Sequence, residues 1–255
     1  MIPIRDTEPS LTKPVIVKAI IFINVLVFLY EVILGHQRLE LFMDHAGLIP
    51  AKYFYLGEFA SQAYGERFTP LFTHMFLHGG WFHVGFNMLF LWIFGDNVED
   101  RLGKVRFVIF YLVCGLAAAY LQLYMSADSR VPMVGASGAI AGIMGGYMVL
   151  FPKARVVAIV PIFYFVQLVQ LPAVVFLGFW FVMQFFSGTI AALEGARSRG
   201  GVAFWAHIGG FVAGVILVKV FAKRKAVDSG YHRTGGGPEH GTSSDATVGN
   251  EPWRV

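Results

Sequence analysis

Three separated stretches of this chain place a nucleophile, a base and hydrogen-bond donors inside otherwise apolar sequence. Gly135-Ala136-Ser137-Gly138 puts a hydroxyl where a helix begins, and Ala206-His207 lies about one and a half turns into another apolar run. His83 and Asn87 are four residues apart, hence on one face of a helix. A Ser with a His at matching depth is the minimum for a nucleophile with a general base. Free N–H groups and the positive dipole end of a helix starting at Ser137, preceded by Gly135, suit an oxyanion, and His83 and Asn87 are donors that could add to such a hole. Each residue also has a plainer role: a Ser among small residues packs or caps, and a buried His bonds structurally. His74, His78 and His83 form a competing set, because the first two are four apart and could bind a metal on one helical face. No His-Glu-x-x-His is present and no acidic residue lies between Thr73 and Phe94, so a metalloprotease would lack its base. Structural hydrogen bonding outranks metal binding for His74 and His78, and neither a metal nor a cofactor is expected. No Asp falls in the middle of an apolar run, which argues against an aspartyl site.

These residues need elements to hold them, and composition says what kind. Charged residues make up 14% of the 255, against roughly 25% in an ordinary soluble domain. With 56% hydrophobic residues and a mean hydropathy of +0.61, the solvent for most of the chain is lipid. The net charge of +4 forms no basic stripe, so nucleic acid is not an expected partner. The single cysteine, Cys114, excludes an intrachain disulfide and a multi-cysteine zinc site. A bilayer core of about 30 Å needs about 20 helical residues, and candidate spans lie at 15–34, 81–95, 105–125, 137–151, 172–187 and 202–221. Residues 1–14 read as a polar N-terminal segment, 15–221 as the membrane domain, and 222–255 as a polar, disordered tail. Residues 35–80 form a large first outer loop, partly interfacial. Residues 153–171 are apolar but broken by Pro161 and by Gln167 and Gln170, which predicts an interfacial or re-entrant stretch before a span from Pro172.

Six spans put both termini on one side, and Lys plus Arg number 14 on that side against 6 on the other, so both termini are expected in the cytoplasm. Spans two, four and six then run from outside to inside, and Ser137, His83, Asn87 and His207 gather at similar depth near the outer face. Gly138, Gly142 and Gly146 repeat every four residues on span four, as do Ala206, Gly210 and Gly214 on span six. Small residues at that spacing let membrane helices approach closely, and facing stripes would bring Ser137 to His207. Span four, at about 22 Å, starts roughly 8 Å below the outer edge of the core, which recesses the nucleophile.

The same residues resemble those of the rhomboid intramembrane serine proteases through about residues 68–221. The matching blocks are His74-Met-Phe-Leu-His78, His83-Val-Gly-Phe-Asn87, Phe94-Gly-Asp-Asn-Val-Glu99-Asp-Arg101-Leu-Gly103, Gly135-Ala-Ser137-Gly138 and Ala206-His207-Ile-Gly209-Gly210, in that order. The resemblance implies an all-α membrane protein, a six-transmembrane-helix bundle with a large first outer loop. It assigns Ser137 as nucleophile and His207 as base, a dyad with no Asp. It gives oxyanion stabilisation to His83, Asn87 and the Ser137 N–H, and structural support to Gly135, Gly138, Glu99, Arg101 and Gly210. The implied activity is serine endopeptidase cleavage of single-span membrane proteins near the outer face, with transmembrane substrates and membrane lipids as partners, in a bacterial inner membrane. Residues 188–201 correspond to the family's mobile cap. The alternative is a catalytically silent, client-binding pseudoprotease, against which Ser137 and His207 both speak. Some members carry an aromatic residue four after the Ser, stacked on the catalytic imidazole; this chain has Ala141 there.

Overall fold

The computed structural model describes residues 1–55, 67–162, 165–193 and 203–222. Strand β1 (Ile2–Asp6) precedes helix α1 (Val15–Ile33), and among the described residues of the first loop there follow the short helices α2 (His36–Ala46), α3 (Ala51–Phe54) and α4 (Pro70–Thr73). Then come α5 (Trp81–Leu102), α6 (Lys104–Met125), α7 (Ser137–Leu150), strands β2 (Arg155–Ile162) and β3 (Phe165–Pro172), α8 (Ala173–Leu193) and α9 (Phe204–Phe221). The six helices α1 and α5 to α9 fall where the sequence predicts spans. By length and composition, α1, α6, α8 and α9 are long and apolar enough to cross a membrane. α5 has the length but ends in Asp96, Glu99, Asp100 and Arg101. α7, with 14 residues, is about 21 Å long and falls short of a 30 Å core.

α7 is the axis of the bundle, with every residue from Gly138 to Tyr147 buried. Such burial on all sides requires neighbours at backbone distance, and the two small-residue stripes do face each other. A Cβ placed on Gly210 would lie 1.9 Å from the Gly138 carbonyl oxygen, and one on Gly214 the same distance from that of Gly142. On its other side Gly142 takes Cys114 of α6, which would sit 2.3 Å from an added Cβ. The stripe ends at Gly146, which meets Phe110 and Val218 instead. The outward faces of α1 and α8 are apolar and exposed, as at Phe22, Ile33, Val175 and Phe186, which is the surface hydrocarbon solvates.

Polar groups tie α1 to the bundle at both ends. The buried Glu99 carboxylate accepts the N–H groups of Ile16 (3.0 Å) and Val17 (2.9 Å), satisfying orphan donors at the start of α1. Near the other end, the buried Glu31 carboxylate accepts the His78 N–H at 3.2 and 3.3 Å. Asn24 bonds within its own helix, donating to the Ile20 carbonyl at 2.8 Å. Glu99 and Arg101 do not pair with each other; Arg101 lies over the Phe151 ring, 5.7 Å from its centre.

In the stretch expected to be interfacial or re-entrant, the described residues form two paired strands, β2 and β3. β1, β2 and β3 form an antiparallel sheet in that order, with Ile2 opposite Ile159 and Arg155 opposite Pro172. Strand pairing satisfies a backbone that Pro161 bars from a helix, and Pro161 lies beyond the reach of β1, so the N–H that proline lacks is not required there. The N-terminal segment is thus part of the fold, and Tyr147 on α7 hydrogen-bonds Asp6 of β1. In the first loop, Leu48 and Met133 exchange backbone hydrogen bonds at 3.0 and 2.8 Å, tying the loop to the α6–α7 connection. The tail 223–255 and residues 194–201 of the expected cap lie outside the described residues.

Candidate active site

Gly135, Ser137, His83, Asn87 and His207 converge at the N-terminal end of α7. The chain enters that helix through Gly135 at φ 127°, a conformation that residues with a Cβ rarely adopt, and its N–H donates to the His74 carbonyl at 2.8 Å. Space imposes the same choice, because a Cβ there would meet His83 Nε2 at 2.7 Å. Ser137 is the first residue of α7, so its N–H and the next two have no carbonyl one turn back to bond.

His207, 8% exposed, reaches Ser137 from α9 with Nε2 2.8 Å from Oγ. Its other nitrogen, Nδ1, lies 2.7 Å from Gln184 Oε1 on α8. For Nε2 to accept the Ser137 proton, a neutral imidazole must carry its hydrogen on Nδ1, which then donates to Gln184. His83 has the opposite arrangement. The Gly79 N–H donates to His83 Nδ1 at 3.3 Å, so its hydrogen sits on Nε2, the nitrogen beside Gly135. Asn87 Nδ2 lies 3.6 Å from the same Cβ position at Gly135 and is buried with no hydrogen-bond partner. Two donors therefore converge on the start of α7, and one has nothing to bond.

The plane of the His207 ring is covered by Trp180 of α8, with ring centres 5.7 Å apart and planes at 38°. Trp180 also contacts Phe211, one turn along α9 from His207. An aromatic ring does face the imidazole, then, but from the fifth long helix instead of from position 141. Trp205 turns away to meet Phe185. Sequence reasoning passed over Gln184 and Trp180. A lone Gln in the middle of an apolar run was the available signal for the first; for the second there was none, among 25 Phe and 5 Trp.

The competing histidines make other contacts. His74 Nδ1 bonds the Pro70 carbonyl at 2.8 Å, and the His78 ring stands edge-on to His83 at 5.1 Å. Among the described residues, no three His, Cys, Asp or Glu are placed to hold a metal ion. Burial pushes the imidazoles of both His74 and His78 down to about 4.

The rhomboid domain model matches residues 65–224, more than half of the chain. The chain is 31% identical over 146 residues to Rhomboid protein 1, mitochondrial, of Saccharomyces cerevisiae, covering 55% of this chain and 38% of that protein. It is 39% identical over 83 residues to the putative rhomboid protease YdcA of Bacillus subtilis, covering 32% and 41% respectively. With the rhomboid protease GlpG of Salmonella choleraesuis it shares 35% identity over 74 residues, or 29% and 26%. In each case the match spans less than half of the relative's length. From the helical bundle around α7, the residues gathered at that helix's N-terminal end and the match over residues 65–224, the chain belongs to the rhomboid family.

Proposed function

We propose that the chain is an intramembrane serine endopeptidase that cuts single-span membrane proteins near the outer face of a bacterial inner membrane, with both termini in the cytoplasm. The observation that carries this reading is the 2.8 Å approach of His207 Nε2 to Ser137 Oγ, made by residues 70 positions apart on two helices. A client-binding protein without chemistry has no need of that bond. The Lys and Arg asymmetry supports the orientation.

Ser137 Oγ attacks the scissile carbonyl carbon while its proton passes to His207 Nε2. The oxyanion that forms lies against the Ser137 N–H, His83 Nε2–H and Asn87 Nδ2–H. In this reading the unpartnered Asn87 donor is held for a charge that exists only during reaction, which lowers the barrier without tightening ground-state binding. His207 then protonates the leaving amine as the C–N bond breaks, leaving an ester on Ser137. Water, deprotonated by His207, hydrolyses the ester and restores the hydroxyl. A helical peptide bond is shielded by its own hydrogen bonds, so substrates must unwind. They are expected to carry Gly, Pro or small polar residues near the cut, with a small side chain just before it.

Purified protein incubated with a single-span substrate of that kind, followed by gel and mass analysis, tests the reading. The wild type is expected to cut at one site near the outer end of the span, and Ser137→Ala and His207→Ala are expected to produce no fragments. Cleavage by Ser137→Ala at the wild-type rate would remove Ser137 as the nucleophile.

A further inference from the structure

α8 is nearly all apolar, and its exposed side chains, such as Val182, Met183, Phe185 and Phe186, face hydrocarbon. A polar side chain in such a helix is costly unless it bonds something. Thr189 bonds within α8, to the Phe185 carbonyl at 2.9 Å. Gln184 instead reaches another helix, and the atom it meets there is His207 Nδ1 at 2.7 Å. Trp180, one turn earlier and therefore on the same face, covers the ring plane of the same imidazole. Two side chains of α8 thus fix the two degrees of freedom that matter for a base: which nitrogen is free, and where it points.

Resting on the Ser137–His207 reading, we infer that Gln184 is a positioning residue completing a Ser137–His207–Gln184 relay, in which the Gln184 amide oxygen accepts Nδ1–H and holds His207 in the tautomer whose Nε2 lone pair faces Ser137. An amide does this without adding charge. A carboxylate at the same place would also stabilise the imidazolium, at the cost of burying an ion in hydrocarbon. With Gln184 in place, the proton that arrives from Ser137 makes a cation stabilised only by a neutral dipole, so it is readily passed on to the leaving amine. The tie also makes the dyad depend on the seating of α8, because neither α7 nor α9 supplies another described partner for Nδ1.

Three variants test this in the full-length protein, all read with a single-span substrate and by thermal melting. Gln184→Met keeps the length of the side chain and removes the acceptor; kcat is expected to fall about 10- to 100-fold, the usual cost of losing an orienting partner, with little change in KM or melting temperature. Gln184→Glu restores an acceptor and adds charge, so the acid limb of its kcat–pH profile is expected to move upward by about one pH unit or more, because the carboxylate favours protonated His207. A helix-packing glutamine would give neither result. Gly178→Ala, on the same helix with nothing within 4 Å of the added Cβ, is the control and is expected to retain full activity. Histidine 15N NMR supplies a readout that needs no cleavage: in the wild type His207 is expected to carry its hydrogen on Nδ1, and in Gln184→Met both tautomers are expected. If the wild type does not cut, the protease reading fails while the tautomer still decides the tie. Wild-type kcat and an unchanged His207 tautomer in Gln184→Met, with an unmoved acid limb in Gln184→Glu, would overturn it.

Discussion

Gly210→Ala adds one carbon atom to a helix contact that has no room for it. The new Cβ would lie 1.9 Å from the Gly138 carbonyl oxygen, where ordinary contact begins at 3.4 Å, so α7 and α9 must separate by about 1.5 Å. Ser137 adjoins Gly138, and His207 stands less than one turn before Gly210, so the separation falls on the dyad. The 2.8 Å between His207 Nε2 and Ser137 Oγ would open to about 4 Å, beyond hydrogen-bond reach. A misplacement of this size costs on the order of 100-fold in rate, and overpacking of a tight core costs about 1–3 kcal/mol. Purified Gly210→Ala should therefore lose roughly 100-fold in kcat and melt several degrees lower in the same detergent. Gly214→Ala meets the same 1.9 Å obstacle one turn further from the dyad, so it should melt as low yet lose less activity. Gly178→Ala, on α8 with nothing within 4 Å, should leave both quantities unchanged. Wild-type kcat and melting in Gly210→Ala, or equal activity losses at 210 and 214, would refute the argument that this contact sets the geometry of the site.

The double variant Ser137→Ala/His207→Ala should be no slower than either single one, since nucleophile and base act as a unit; a further loss, measured as residual fragment by mass spectrometry, would count against the dyad. Asn87→Ala should lower kcat by about 10- to 1000-fold with little change in KM, as expected for a donor that meets charge only in the transition state; a raised KM with a lowered melting point would make it structural. Below pH 6.5 the unfolded chain binds protons that buried His74 and His78 refuse until about pH 4, so stability falls as pH falls through that window, by up to about 3 kcal/mol for one such group. His78→Phe, which also removes two buried nitrogens without partners, should flatten the acid decline in melting temperature and hold or raise it at pH 7.

The meeting of Ser137 with His207 was legible because polar side chains in hydrocarbon are expensive: both stood out against their runs, and two small-residue stripes said which helices meet. That signal ranks residues but gives no direction, so it could not tell that Gln184 turns inward toward His207. The sheet was hidden for another reason. β1 is five residues containing Pro3, and its partner strand lies some 150 positions later, where apolar sequence with Pro161 fits several backbones in a membrane interface. Only pairing decides among them, and pairing is not local. The partner of Glu31, the His78 N–H, is a backbone group and leaves no trace in side-chain composition.

Hydrocarbon contact between helices is non-directional, so a lipid-facing helix such as α1 could slide along its neighbours at little cost were apolar packing all that held it. Fastened at one end by Glu99 and at the other by Glu31, it cannot. The span between those two carboxylates works as a ruler of fixed length. When the bilayer thickens or thins, α1 cannot adjust by moving up or down alone, and the mismatch passes to the lipid around it or to the tilt of the whole bundle. The depth of the Ser137 hydroxyl is thereby set by the protein's own frame and not by the membrane it occupies.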